Sequence, residues 1–167
     1  MKKCGKYHYF VEGECEEKLI KVLKEQRNLI LSGRVDVLNV IQERFTDMLL
    51  RPISLDTTII LVFDTDTKET EILKENLTFL KRKHFKKVLC IIQVDNLEDE
   101  IVNSTCLKDA KELFKCEGLK EFKELFIKEK NLYRKLCEKK FSIKKIWISK
   151  PPKEYQFIEN DGPKIMI

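Results

Sequence analysis

The chain has 167 residues, of which 43% are hydrophobic and 37% charged, and its formal net charge is +5. That length supports one domain with a sizeable core, and apolar runs interrupt the charge too often for general disorder. The longest apolar runs, 59–63 and 88–92, are far too short to cross a bilayer. No apolar signal core follows the basic start, so a cytoplasmic protein with no membrane contact is expected.

Residues 7–11 are short and aromatic and predict a first strand. A helix is expected over 14–28, with Leu19, Ile20, Val22 and Leu23 on its apolar side. Ser32-Gly33-Arg34 punctuates the chain, and 35–41 is rich in β-branched residues, predicting a second strand. A short helix over 43–50 is closed by Arg51-Pro52, because a residue before proline disfavours the α region. Residues 57–63 form a continuous apolar run, as expected of a strand buried on both faces. Asp66 or Thr67 then caps a helix to about residue 83, striped by Ile72, Leu73, Leu77 and Leu80. Residues 87–94 predict a fourth strand. The βαβαβαβ order argues for a doubly wound, mostly parallel sheet with helices on both faces. Beyond Asn96 the expected elements are a short helix from residue 97, helices over 107–114 and 119–140, an edge strand over 143–148, and an irregular tail from 151.

Six cysteines are present without a CxxC pair, so free thiols are expected. Cys4 and His8 lack the second close pair that a zinc site needs. Residues 119–145 carry ten Lys/Arg against four Glu, and a second basic knot spans 81–87. Lys81, Arg82, Lys83, Lys130, Arg134, Lys135, Lys139 and Lys140 are the candidate nucleic-acid contacts, through counterion release at phosphates. A solvated lysine-rich surface is the plainer alternative.

Two acidic clusters stand where apolar strands should end. Glu12 and Gly13 follow the first strand, and Asp64-Thr65-Asp66 follows the third. In an open α/β sheet the carboxyl ends of parallel strands share one rim, where ligands bind. Extended i, i+2 spacing points Asp64 and Asp66 the same way. Carboxylates gathered so repel one another unless a cation is present, which suggests Mg²⁺ or Mn²⁺ for phosphate chemistry. The helix starting at Glu14 aims its N-terminal N–H groups at the same rim, favouring an anion. The plainer alternative is that these acids cap the helices that follow.

Phe10-Val11-Glu12-Gly13 and Phe63-Asp64-Thr65-Asp66 resemble the two acidic motifs of the Toprim domain, over about residues 7–96 and up to 105. The resemblance implies a Toprim-like α/β sheet of four to five strands over 1–105; beyond it the residues themselves predict a basic helical extension over 106–150 with a last strand, and a tail over 151–167. A small stand-alone chain is most similar to the nuclease branches, of the overcoming-lysogenisation-defect or ribosomal RNA maturase type. It implies that Glu12 serves as general acid/base or metal ligand and that Asp64 and Asp66 hold Mg²⁺. Gly13 would permit close approach to a phosphate. Glu16 and Glu98 match the positions that hold a second metal in the former nucleases, with Asp95 and Asp99 as competitors. The implied activity is metal-dependent phosphodiester hydrolysis of DNA or RNA. The alternatives are a non-catalytic Toprim-like module that binds nucleic acid or protein, and a receiver-like signalling domain. A partner protein or a homo-oligomer would supply the specificity that a short chain lacks.

Overall fold

The computed structural model describes residues 5–167. Strands β1 (Lys6–Val11), β2 (Arg34–Val37), β3 (Thr57–Asp64) and β4 (Lys87–Gln93) form one parallel sheet in the order β2-β1-β3-β4. Six α-helices accompany it: α1 (Glu14–Lys21), α2 (Asp47–Leu50), α3 (Glu71–Arg82), α4 (Leu97–Ser104), α5 (Leu119–Lys128) and α6 (Leu132–Glu138). The fold is α/β and doubly wound. No helix among the described residues is long and apolar enough to cross a membrane.

Alternation along the strands splits the core into two layers. Tyr9, Val11, Ile60, Val62, Leu89 and Ile91 pack with α1, α4, α5 and α6. Phe10, Ile59, Leu61, Phe63, Cys90 and Ile92 pack with α2 and α3. Seven of the eight β3 residues are buried, because the strand is central and covered on both faces. Most of the buried residues beyond 105 share the first layer, Phe122, Phe126, Leu136, Trp147 and Ile165 among them, while Tyr155 joins the second.

Several expected elements end early because side chains take up the backbone. β2 stops at Val37, and Asn39 Oδ1 accepts the Ile41 N–H at 3.1 Å in a turn that carries Val40 and Ile41 into the second core layer. The helix expected from residue 67 begins at Glu71. Before it, Thr67 Oγ1 accepts the Glu69 N–H at 3.2 Å, and the Tyr155 hydroxyl donates to the Thr67 carbonyl at 2.9 Å. The helix expected over 43–50 is the single turn of α2, capped by Thr46, and 107–114 contains only the 3₁₀ turn Ala110–Leu113. The long basic helix breaks into α5 and α6 where Glu129 turns extended and its carboxylate accepts the Asn131 N–H at 2.8 Å.

The edge strand expected over 143–148 does not form. The segment holds a 3₁₀ turn, Ile143–Lys145, and Trp147 has a positive φ of 56°. The buried Glu100 carboxylate accepts the Trp147 N–H at 2.9 Å and the Val94 N–H at 3.1 Å, which fixes this segment against β4. The open edge of β4 is covered instead by the tail. Asp161 Oδ2 accepts the Cys90 N–H at 2.9 Å, and the Asp161 N–H donates to the Cys90 carbonyl at 2.7 Å. The Asn160 amide does the same at Ile92, at 3.1 and 3.2 Å. Two residues, through both side chains and the Asp161 N–H, thus take the place of a fifth strand along this edge.

Among the described cysteines, Cys15, Cys90, Cys106, Cys116 and Cys137 are free thiols. Cys4 lies outside the described residues, and His8 Nε2 pairs with Asp36 at 2.7 Å. Replacing Asp161 by Ala strands the buried Cys90 amide. We expect a loss of about 1–3 kcal/mol in urea unfolding, together with faster amide exchange at Cys90. Exchange unchanged at Cys90 would mean that the tail does not hold this edge.

Candidate functional site

β1 and β3 are neighbours whose onward connections leave on opposite faces of the sheet, α1 on one and α3 on the other. Their carboxyl ends therefore flank the topological switch point, where doubly wound folds form a crevice. Val11 pairs with Val62 in the β1–β3 ladder, so Glu12 and Asp64 emerge together. The Asp64 N–H donates to Glu12 Oε2 at 2.8 Å.

Asp64 is the last residue of β3 and lies on the same face as Ile60 and Val62, toward α1. Its backbone is held from the next residue. Thr65 Oγ1 donates to the Gln93 carbonyl at 3.2 Å and accepts the Asp95 N–H at 2.9 Å, tying the ends of β3 and β4 together. Asp64 Oδ1 is buried without a hydrogen-bond partner. The register neighbour of Asp64, Gln93, is fully buried, and its side-chain amide has no partner among the described residues.

A cleft of about 420 Å³ opens here, lined by Glu12, Gly13, Cys15, Glu16, Asp64, Glu98 and Lys123, among others. Glu16, one turn into α1, is buried, and Glu98 comes from the first turn of α4. The resulting repulsion is visible in the acid strengths. Burial, then the charges of Glu12 and Glu16, push the Asp64 carboxyl up to about 9. Burial, then Glu12 and Glu98, push Glu16 up to about 7. Burial also raises Glu12, opposed by the Asp64 N–H that it accepts.

Lys123 of α5 is the cation in this cleft. Its Nζ lies 3.5 Å from Glu98 Oε1. Burial pulls its pKa down, but Glu98 outweighs that and the net shift is upward. Lys123 in turn lowers the pKa of Glu12 and of Glu16. Nothing local in the sequence distinguishes Lys123 from the nine other basic residues of 119–145. Only the packing of Phe122 and Phe126 beneath α5 turns it toward α1.

The structure brings Glu12, Asp64, Glu16 and Glu98 together and leaves Asp66 outside. Asp66 lies past the end of β3, exposed in the loop before α3, and does not line the cleft. It acts at a distance, raising the pKa of Glu12 and Asp64. Of the competing acids after β4, Glu98 lines the cleft while Asp95 and Asp99 are exposed. Gly13 has an extended backbone (φ −156°) that any residue adopts; a Cβ there would lie 3.3 Å from Glu16 Oε2, so its small size leaves room for that carboxylate. Cys15 is buried and its thiol pushed up to about 12 by burial and nearby carboxylates, which makes it a packing residue.

None of the eight candidate nucleic-acid contacts lines the cleft. Lys81 and Arg82 end α3, with Lys83 just beyond, at the opposite rim where β4 begins. Lys83 pairs with Asp47. α6, with Arg134 and Lys135, packs against the π-helical turn Val22–Gln26, at the far end of α1 from Glu16. Arg134 pairs with Glu138 at 3.3 Å and Lys135 with Glu129 at 3.9 Å; Lys130 precedes α6, and Lys139 and Lys140 follow it. The two basic groups thus lie on opposite faces of the sheet.

Among the described residues, no three His, Cys, Asp or Glu side chains are set close enough together to hold a metal ion as they stand. The cleft nevertheless suits a cation that takes one or two protein carboxylates and completes its shell with water and phosphate, as Mg²⁺ does. Asp64 Oδ1 is buried and unpartnered, and its carboxyl holds a proton against burial and repulsion.

Raised folded-state pKa values make the protonated acids part of the fold. Their contribution is complete below the ordinary carboxylate range and is lost as pH rises through about 7 for Glu16 and about 9 for Asp64. Thermal melts in chelator should therefore fall in midpoint across that range, and Asp64→Asn should flatten the upper part. A melt that is level from neutral to alkaline pH would contradict the buried-acid arrangement. Lys123→Met should move the Glu16 midpoint upward in a carboxyl NMR titration, since it removes the charge that opposes the raised pKa.

No protein-family model matches the chain, and no curated protein or solved structure shows significant similarity to it.

Proposed function

We propose that this rim binds a divalent cation, Mg²⁺ or Mn²⁺, and hydrolyses phosphodiester bonds of nucleic acid in the manner of a Toprim-type nuclease. The observation that carries the reading is the Glu12–Asp64 pair at the switch point, with Asp64 Oδ1 buried and unpartnered in a cleft that Glu16 and Glu98 also line. Asp64 and Glu12 would hold the ion, and Glu16 and Glu98 would stand behind them. A divalent ion bound there would neutralise phosphate charge and make water a better nucleophile. Glu16, at about 7, exchanges its proton near neutrality, which suits general acid/base work. The first N–H groups of α1, preceded by Gly13, point toward the rim and favour an anionic phosphate. Lys123 would balance the carboxylates or meet a phosphate oxygen.

A non-catalytic module that binds nucleic acid or protein is the second reading. It draws on Lys123, which already supplies a positive charge to Glu98 inside the cleft.

Isothermal titration of Mg²⁺ and Mn²⁺ should give micromolar-to-millimolar binding that Asp64→Asn abolishes. With labelled DNA and RNA, Glu12→Gln should slow metal-dependent cleavage by about 10²-fold or more. Metal binding without cleavage of either polymer would favour the non-catalytic reading. No metal binding by a folded sample would sink the nuclease reading.

A further inference from the structure

We propose that two copies of this chain join edge to edge through β2, about a two-fold axis at Val35, forming one continuous eight-stranded sheet. β2 ends the strand order, and it pairs only with β1. The two edges of the sheet are treated differently. The β4 edge is closed by Asn160 and Asp161, whereas β2 has no such cover among the described residues.

Ladder parity fixes which groups are free. The Leu38 N–H donates to the Val11 carbonyl. Residues of a strand alternate between its two neighbours, so Arg34 and Asp36 also face β1, and the N–H and C=O groups of Val35 and Val37 face outward. An antiparallel partner centred on Val35 meets those groups correctly. Val35 and its counterpart exchange both hydrogen bonds as a hydrogen-bonded pair.

The same register is self-complementary in charge. Arg34 stands opposite the partner's Asp36, and Asp36 opposite the partner's Arg34, in non-hydrogen-bonded pairs where side chains approach most closely. The next register compatible with the outward groups is centred on Asp36. It would set the two Asp36 carboxylates against each other, so charge selects the Val35 axis. Within one copy Arg34 lies 3.4 Å from Asp36, which also pairs with His8, and both side chains stay accessible at 71% and 37% exposure, so the partner's charges would extend an existing pair into a four-charge cluster. Apolar surface lies alongside: Val37, Met48 and Leu49 are exposed at 47%, 79% and 36% and border the groove next to β2. A two-fold axis normal to the sheet keeps α2 of both copies on the same side, so Met48 and Leu49 flank the seam from each.

The test uses sedimentation velocity of the full chain from low to high micromolar concentration. Wild type should dimerise. Arg34→Asp and Asp36→Arg should each oppose like charges and raise the dimer dissociation constant by about tenfold or more. Mixed together, these two variants restore opposite charges at both positions, and a heterodimer should form. Far-ultraviolet circular dichroism of each variant confirms folding, and the mixing result depends on both being native. A wild-type chain that stays monomeric throughout overturns the proposal. So does a dimer indifferent to both substitutions, or a pair of folded variants that stay monomeric when mixed.

Discussion

Pairing of β1 with β3 is the contact on which the acidic rim depends. Six consecutive residues of β1 are in register with six of β3, ending with Val11 beside Val62. Glu12 leaves the sheet beside the last residues of β3, close enough for its carboxylate to receive the Asp64 N–H. A slip of one residue would turn Asp64 to the opposite face, among the side chains around Phe63 and Tyr155. The buried alternation of Ile59 to Phe63 makes that slip costly, because both layers of the core would be inverted at once.

The rim is assembled at an electrostatic cost that the rest of the molecule bears. Five carboxylates, those of Glu12, Glu14, Glu16, Asp64 and Glu98, line a cleft with one ammonium group, and two of them hold protons well above the usual range. Nothing in the packing of a stable core requires this. Two-layer burial, the Asn160–Asp161 cover on β4 and the Glu100 staple to Trp147 supply stability at a distance from the cleft. An arrangement of this sort persists only where the surrounding fold over-determines the geometry.

Much of the architecture was legible because it rests on local pattern. The apolar run of β3, the Leu73–Leu80 stripe of α3 and the Asn96 cap of α4 each announce an element without tertiary help. Glu12 and Asp64 were legible because strand ends in an alternating βα chain share a rim. Failures arose where a side chain took over a backbone group from afar. Asn76 interrupts the α3 stripe with a polar residue, yet it is buried. Its amide binds the Val40 and Glu43 carbonyls and the Phe45 N–H, holding the 40–45 turn in place of the longer second strand. Glu100, in an acidic first turn that looks like solvent, is fully buried and prevents a last strand. Lys123 was invisible for a different reason, since ten basic residues share its segment and only packing chooses one.

The cover on β4 also bears on the order of folding. Asp161 and Asn160 close contacts with Cys90 and Ile92 across 71 and 68 residues of chain. Contacts of such separation form late, after the loop-closure entropy has been met by other packing. While the chain is being synthesised, β4 can pair with β3 as soon as both have emerged, but its outer edge stays bare for all of the intervening sequence. That interval is when the strand edge is open to pairing with other nascent chains, and Asn160 and Asp161 can close it only after nearly the whole chain has been made.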